Sequence, residues 1–168
     1  MDCRPSRFQR FIPESKGLAR LQVDPYDEEK IGSDDTIIRR ISPAQHIIWD
    51  ENRQKKRIAS KAFNKSSGLT AGMSVDVENL VVAAGQDPKT YVTTPIFTGS
   101  VSFSAGVVRA LELWVGYEPI RNMPGAPDTP HHGEVWAKTA KVAFSNSQKT
   151  GIAKQARWYV ELPDVDII

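Results

Sequence analysis

The sequence predicts an α+β fold: a small mixed or antiparallel sheet with two or three helices. Three observations predict it. Short runs rich in β-branched and aromatic residues recur along the chain, and Gly, Pro and polar clusters separate them. A few segments carry helix-start residues followed by an apolar periodicity. The 168 residues suit one domain, since chains of this length bury about two thirds of their unfolded surface. Strands and short helices interspersed in a single domain of this size point to α+β.

Residues 1–34 read as an extended or flexible arm. They hold Pro5, Pro13, Pro25, Gly17 and Gly32, and their apolar residues fit neither a helical nor a strand period. Phe8, Phe11 and Ile12 are the anchors by which such an arm would lie on a partner or on the domain. The folded domain is expected over 35–162, and residues 163–168 as a C-terminal tail. Thr36 to Ile41 is strand-like and stops at Ser42-Pro43. His46 to Trp49 and Arg57 to Ser60 flank a polar loop and predict a hairpin. Ser74 is placed as an N-cap, with Asp76 and Glu78 in the first turn and Gly85 at the C-terminus, so Val75 to Ala84 is expected as a helix; its β-branched content leaves a strand as the alternative.

Tyr91 to Thr94 and Gly99 to Phe103 read as extended. Ser104 caps a short helix from Ala105 to Leu111, and Leu113 to Tyr117 follows as a strand. Arg121 to Pro130 is a Pro- and Gly-rich loop. Glu134 to Ala137 and Val142 to Phe144 are strand-like. Ser147 to Val160 is expected as a final helix, weakened at Gly151 by about 1 kcal/mol.

Composition excludes several classes. A net charge of +2 makes the whole chain neither a general nucleic-acid binder nor a binder of acidic substrates. One cysteine, Cys3, rules out an intrachain disulfide framework and a cysteine-based zinc site. No apolar run is long enough for a membrane helix or a signal peptide, so the cytoplasm is the expected location and no membrane partner is expected. Neither GxxxxGK[ST] nor GxGxxG is present, and no GxSxG elbow promotes a serine.

Charge is nonetheless uneven. Arg39 to Lys65 carries eight Lys or Arg against two acidic residues, a local +6; Ser66 to Trp136 carries −4. Arg40, Lys55, Lys56 and Arg57, near Trp49 and Phe63, form either a basic patch for a protein or nucleic-acid partner or a solvated hairpin tip. His132 shares a strand side with Glu134, so a carboxylate-oriented general base is one reading. In it Arg57 stabilises developing negative charge and Ser60 positions substrate. A metal site would need His46, His132 and a carboxylate to converge. No HxH, HExxH or cysteine pair supports that, so neither metal nor cofactor is expected.

Arg40-Ile41-x-Pro43, Arg57-x-x-Ser60-x-Ala62-Phe63, Ser74-Val75-Asp76 and Pro130-x-His132-x-x-Val135 resemble segments of a group of small, uncharacterised bacterial proteins over about residues 36–160. That group's late motif tends to read Asn-Pro-x-His, whereas Asp128 and Thr129 precede Pro130 here. The resemblance implies a bacterial, cytoplasmic, stand-alone domain and marks Arg57, Ser60 and His132. The order of Arg39 or Arg40, the middle-strand serines and Glu134 also echoes ADP-ribosyltransferase-like proteins, without their paired-glutamate segment.

Two functions follow as expectations. One is a binding or accessory domain contacting a protein or nucleic acid through the arm and the basic hairpin. The other is a small enzyme or toxin acting on a nucleic acid or nucleotide, with His132 as general acid or base.

Overall fold

Three β-branched isoleucines make Thr36–Ile41 strand β1, and its partners on both sides bury them. The structure, a computed structural model, describes residues 23–66, 72–121, 128–138 and 142–168. Pro43 opens a single helical turn, α1 (Pro43–His46), which leads into β2 (Ile47–Asp50). A tight loop returns the chain as β3 (Lys55–Ile58). There Asp50 Oδ1 accepts from the Asn52 and Arg53 amides, and Gln54 takes a positive φ of 52°. A 3-10 turn, Ser60–Phe63, carries Ala62 and Phe63 into the core.

The remaining elements are β4 (Met73–Val77), α2 (Glu78–Ala83), α3 (Pro88–Val92), β5 (Gly99–Ser104), α4 (Ala105–Ala110), β6 (Trp114–Tyr117), β7 (His132–Trp136), α5 (Asn146–Gln155), β8 (Arg157–Val160) and β9 (Val165–Asp166). Six strands form one antiparallel sheet in the order β6-β7-β4-β1-β5-β8. β2, β3 and β9 form a second, three-stranded sheet. The fold class is α+β as expected, with five short helices among the described residues rather than two or three.

The two faces of the large sheet differ. Ile37, Ile41, Val75, Val77, Val101, Phe103, Val115 and Val135 belong to the main core, with Val108 of α4 and Ile152 of α5. Alternation sends Ile38, Arg40, Ser74, Asp76, His132, Glu134 and Trp136 to the other side. Val81 and Val92, on α2 and α3, are buried outside that main cluster, as is Ile38.

Several expectations are corrected. Ser74 is no N-cap: residues 73–77 are a strand, and the helix begins at Glu78. Met73, Val75 and Val77 alternate with Ser74 and Asp76, and pairing to β7 rewards that period of two over the helical reading. Gly85 does follow the helix, at φ +74°. Tyr91 lies in helix α3, because Asp87 caps it by accepting from the Thr90 amide and Pro88 occupies the first turn. Residues 142–144 form no strand, although Phe144 is buried. The final helix stops at Gln155. Its start is a capping box between Ser145 and Gln148, and Arg157–Val160 instead pairs with β5.

Residues 23–34 pack against the domain rather than standing off it. Ile31 is fully buried. β6 is an edge strand, and residues 26–28 run along its open side: the Glu28 amide donates to the Val115 carbonyl, Asp27 Oδ1 accepts from the Val115 amide, and the Tyr26 hydroxyl donates to the Tyr117 carbonyl while accepting from the Tyr117 amide. Gly116 lets the Tyr26 ring sit there, since a Cβ would meet that ring at 2.8 Å. At the other end, Val165–Asp166 of the expected tail pairs in parallel with β3. Phe8 and Phe11 lie outside the described residues.

Candidate functional site

β1 and β4 are hydrogen-bonded neighbours only at Ile37–Val77 and Ile38–Asp76. Beyond these pairs the strands part, while β4 stays paired to β7 down to Met73–Val135. Arg39 bridges the split: its Nη1 donates to the Ser74 carbonyl at 2.7 Å and its Nε to the Ala62 carbonyl at 2.9 Å. A guanidinium thus takes up a β4 carbonyl where a strand amide would otherwise serve. A cavity of about 540 Å³ opens at this place. Its walls include Arg39, Arg40, His46, Lys61, Lys65, Ser74, Asp76, Thr129 and His132.

His132 is oriented from both sides. Its Nδ1 lies 2.6 Å from the Glu118 carbonyl oxygen, and its Nε2 lies 2.5 Å from Ser74 Oγ. A carbonyl oxygen can only accept, so Nδ1 carries the hydrogen. In the neutral ring Nε2 is then the acceptor, and the Ser74 hydroxyl donates to it. This is the arrangement of a serine with its general base: nucleophile and base within hydrogen-bond reach, and the base held by a third group. β4 and β7 create it by register, since Asp76 sits opposite His132 and Ser74 opposite Glu134 on one face.

Carboxylates surround the histidine. One ligand-type atom each from Glu118, His132 and Glu134 lies within 4.8 Å of the others, and all three residues are buried. Glu134 accepts from the Gly72 amide. Donor sets of one histidine and two carboxylates suit a divalent transition metal, and these are the residues that would hold one, on condition that His132 Nε2 gives up its bond to Ser74. They differ from the set considered from sequence: Glu118 and Glu134 complete the cluster, and His46 does not.

The cavity wall is cationic, with Arg39, Arg40, Lys61 and Lys65 against one carboxylate, Asp76. Asp76 accepts from Arg40 at 2.7 and 3.0 Å, and the Arg40 guanidinium also stacks on Tyr91. Burial lowers the Arg39 pKa to about 10, against the pull of Asp76 and Glu134; the group stays charged at neutral pH. Burial, aided by the charges of Arg39 and Lys61, lowers His46 to about 4. His46 is therefore neutral, and its Nδ1 accepts from the Ser42 amide.

Of the residues singled out from sequence, His132 and Glu134 are brought together and Arg40 lines the same cavity as His132. Arg57 and Ser60 do not line it. Arg57 Nε bonds Asp50 Oδ2 at 2.6 Å within the small sheet, and Ser60 opens the exposed start of the 3-10 turn. Lys55 reaches Asp166 at 3.7 Å, and Lys56 is exposed on β3. Ser74, Arg39 and the Glu118 carbonyl were missed. The alternation of Ser74 and Asp76 with apolar neighbours was the signal for the first; nothing local marks the other two. Comparison with known protein families, curated proteins and solved structures gives no match.

Proposed function

We propose that this protein is a serine-dependent enzyme that cleaves an ester of an anionic molecule, with Ser74 as nucleophile and His132 as general base. The hydrogen bond from Ser74 Oγ to a histidine whose tautomer is fixed by the Glu118 carbonyl carries this reading. As Ser74 Oγ bonds to the acyl carbon, its proton passes to His132 Nε2. The departing alkoxide takes that proton and leaves as an alcohol. Water then attacks the acyl-serine, gives its proton to Nε2, and the acid departs as Ser74 Oγ recovers the proton. Arg39 and Arg40 lie in the same wall and favour negative charge.

This keeps His132 in the role expected of it and reassigns the others: Ser74 replaces Ser60, and Arg39 with Arg40 replaces Arg57. It is favoured over partner binding through the hairpin because the cavity gathers Ser74, His132, Arg39 and Arg40 in one place, whereas Arg57 is paired with Asp50 in the small sheet. A fluorophosphonate probe tests the reading without knowledge of the substrate. Mass spectrometry is expected to find the adduct on Ser74, with labelling slowed about 100-fold or more in His132→Ala. An unlabelled Ser74, or equal labelling of that variant, would sink it.

A further inference from the structure

Among the cations lining the cavity, Arg39 is distinctive. Arg40 has Asp76. Arg39 is held by two backbone carbonyls and has no ion-pair partner among the described residues. A guanidinium offers five N–H donors in a rigid fork, and the carbonyls of Ala62 and Ser74 take two of them. Cations set into a protein interior are ordinarily neutralised by a carboxylate or by a bound anion. Two backbone carbonyls fix the fork; Asp76 and Glu134 favour its charge through space, but neither forms an ion pair with it.

A second feature of the same wall points the same way. Thr129 Oγ1 is shielded from solvent and has no hydrogen-bond partner among the described residues. An unpartnered hydroxyl there holds a donor and two acceptor sites in reserve, and rotation about χ1 is what would turn it toward a ligand. Lys61 adds an exposed ammonium to the wall. Asp76 answers Arg40, and the charges of Arg39 and Lys61 together suit a group bearing more than one negative charge.

We propose that the cavity is a phosphate receptor, with Arg39 as its charged fork and Thr129 as a neutral donor, so that the ester cleaved at Ser74 belongs to a phosphate-bearing molecule. The inference deepens the serine-ester reading and rests on it. Arg39 fixes the Ser74 carbonyl with one arm and receives the phosphate with the donors that remain. The reacting hydroxyl and the bound anion are therefore indexed to one side chain.

The test uses the full chain and inorganic phosphate as probe. The Nε–Hε resonance of Arg39 is followed by NMR as phosphate is added, with sodium acetate and sodium chloride at matched ionic strength as separate arms. A saturable shift with phosphate alone is expected, in wild type and in Ser74→Ala alike. An equal shift with acetate assigns the cavity to carboxylates and overturns the phosphate reading; no saturable shift overturns the receptor altogether. Arg39→Lys keeps the charge but loses the fork, and phosphate affinity is expected to fall about tenfold. Should that variant fail to fold, protection of wild-type Arg39 from phenylglyoxal by phosphate, read by mass spectrometry, decides the same question: protection supports the receptor and its absence overturns it. The two proposals fail separately. Probe labelling of Ser74 without an Arg39 response removes only the receptor, and an Arg39 response without labelling removes only the serine chemistry.

Discussion

Arg40 meets Asp76 at 2.7 Å on the large sheet, and Arg57 meets Asp50 at 2.6 Å on the small one. The contacts are alike, but their settings are not. Asp76 is almost wholly buried, its partner stacks on Tyr91, and both line a cavity shared with Ser74 and His132. Asp50 and Arg57 close a hairpin whose loop is exposed, and their pairing ties β2 to β3 across a short turn. In the large sheet a charge pair is part of a wall that faces a ligand-sized space. In the small sheet it is a local clamp. Density of charge in the sequence, highest at the hairpin, is therefore a poor guide to where charges converge.

The comparison can be broken at its largest element. Trp136 is almost completely buried on the same face as His132 and Glu134 and meets Tyr26 at 5.8 Å between ring centroids. Trp136→Ala is expected to cost about 3–5 kcal/mol in chemical denaturation. A cost below about 1 kcal/mol would mean that this face is not packed as described.

A smaller effect is expected at His46, which lies on α1 between the first strands of the two sheets. Its folded pKa, about 4, is below the usual 6.5, so the unfolded chain takes up a proton first as pH falls. Its contribution to stability is intact above pH 6.5, is lost as pH drops toward about 4, and is constant below that. Denaturation midpoints measured across this window should fall, and His46→Gln should flatten the fall. An unchanged slope in that variant would assign the acid sensitivity elsewhere.

The smallest effect on chemistry is expected from Arg57→Ala. Probe labelling of Ser74 should stay within about twofold of wild type, since Arg57 does not line the cavity. Hydrogen bonding to Arg57 chiefly holds the Asp50 carboxyl below its ordinary pKa, so NMR titration should show that pKa rising in the variant. A large loss of labelling would erase the distinction between the two sheets.

Legibility in the sequence followed the range of the interactions involved. β1, the β2–β3 hairpin, β5 and the Ser104 cap were readable because alternation, turn residues and caps are local. The helix expected over 75–84 is realised only from Glu78; its first part was misread because caps and carboxylates suited to a helix start also occur in a polar-faced strand, and long-range pairing with β7 decided it. Residues 157–160 were read as helix for the same reason, with β5 as the deciding partner. At the site, His132 and Glu134 were legible as a pair two apart on one strand. Ser74 required the β4–β7 register, and Arg39 required knowing that β1 and β4 part company. The carbonyl that fixes the histidine tautomer is a backbone atom, which no side-chain motif can announce.

The Tyr26 hydroxyl, bonded to both the amide and the carbonyl of Tyr117, has a consequence for what the molecule does in a crowd. A strand rim with free donors and acceptors is a template on which another copy can add, and growth of that kind has no natural end. Residues 26–28 act as a stopper on that rim, built from side chains and a single amide rather than from another strand. A fragment trimmed at residue 22 keeps the stopper. One trimmed at residue 34 uncovers the rim, and its readiest new partner is its own kind.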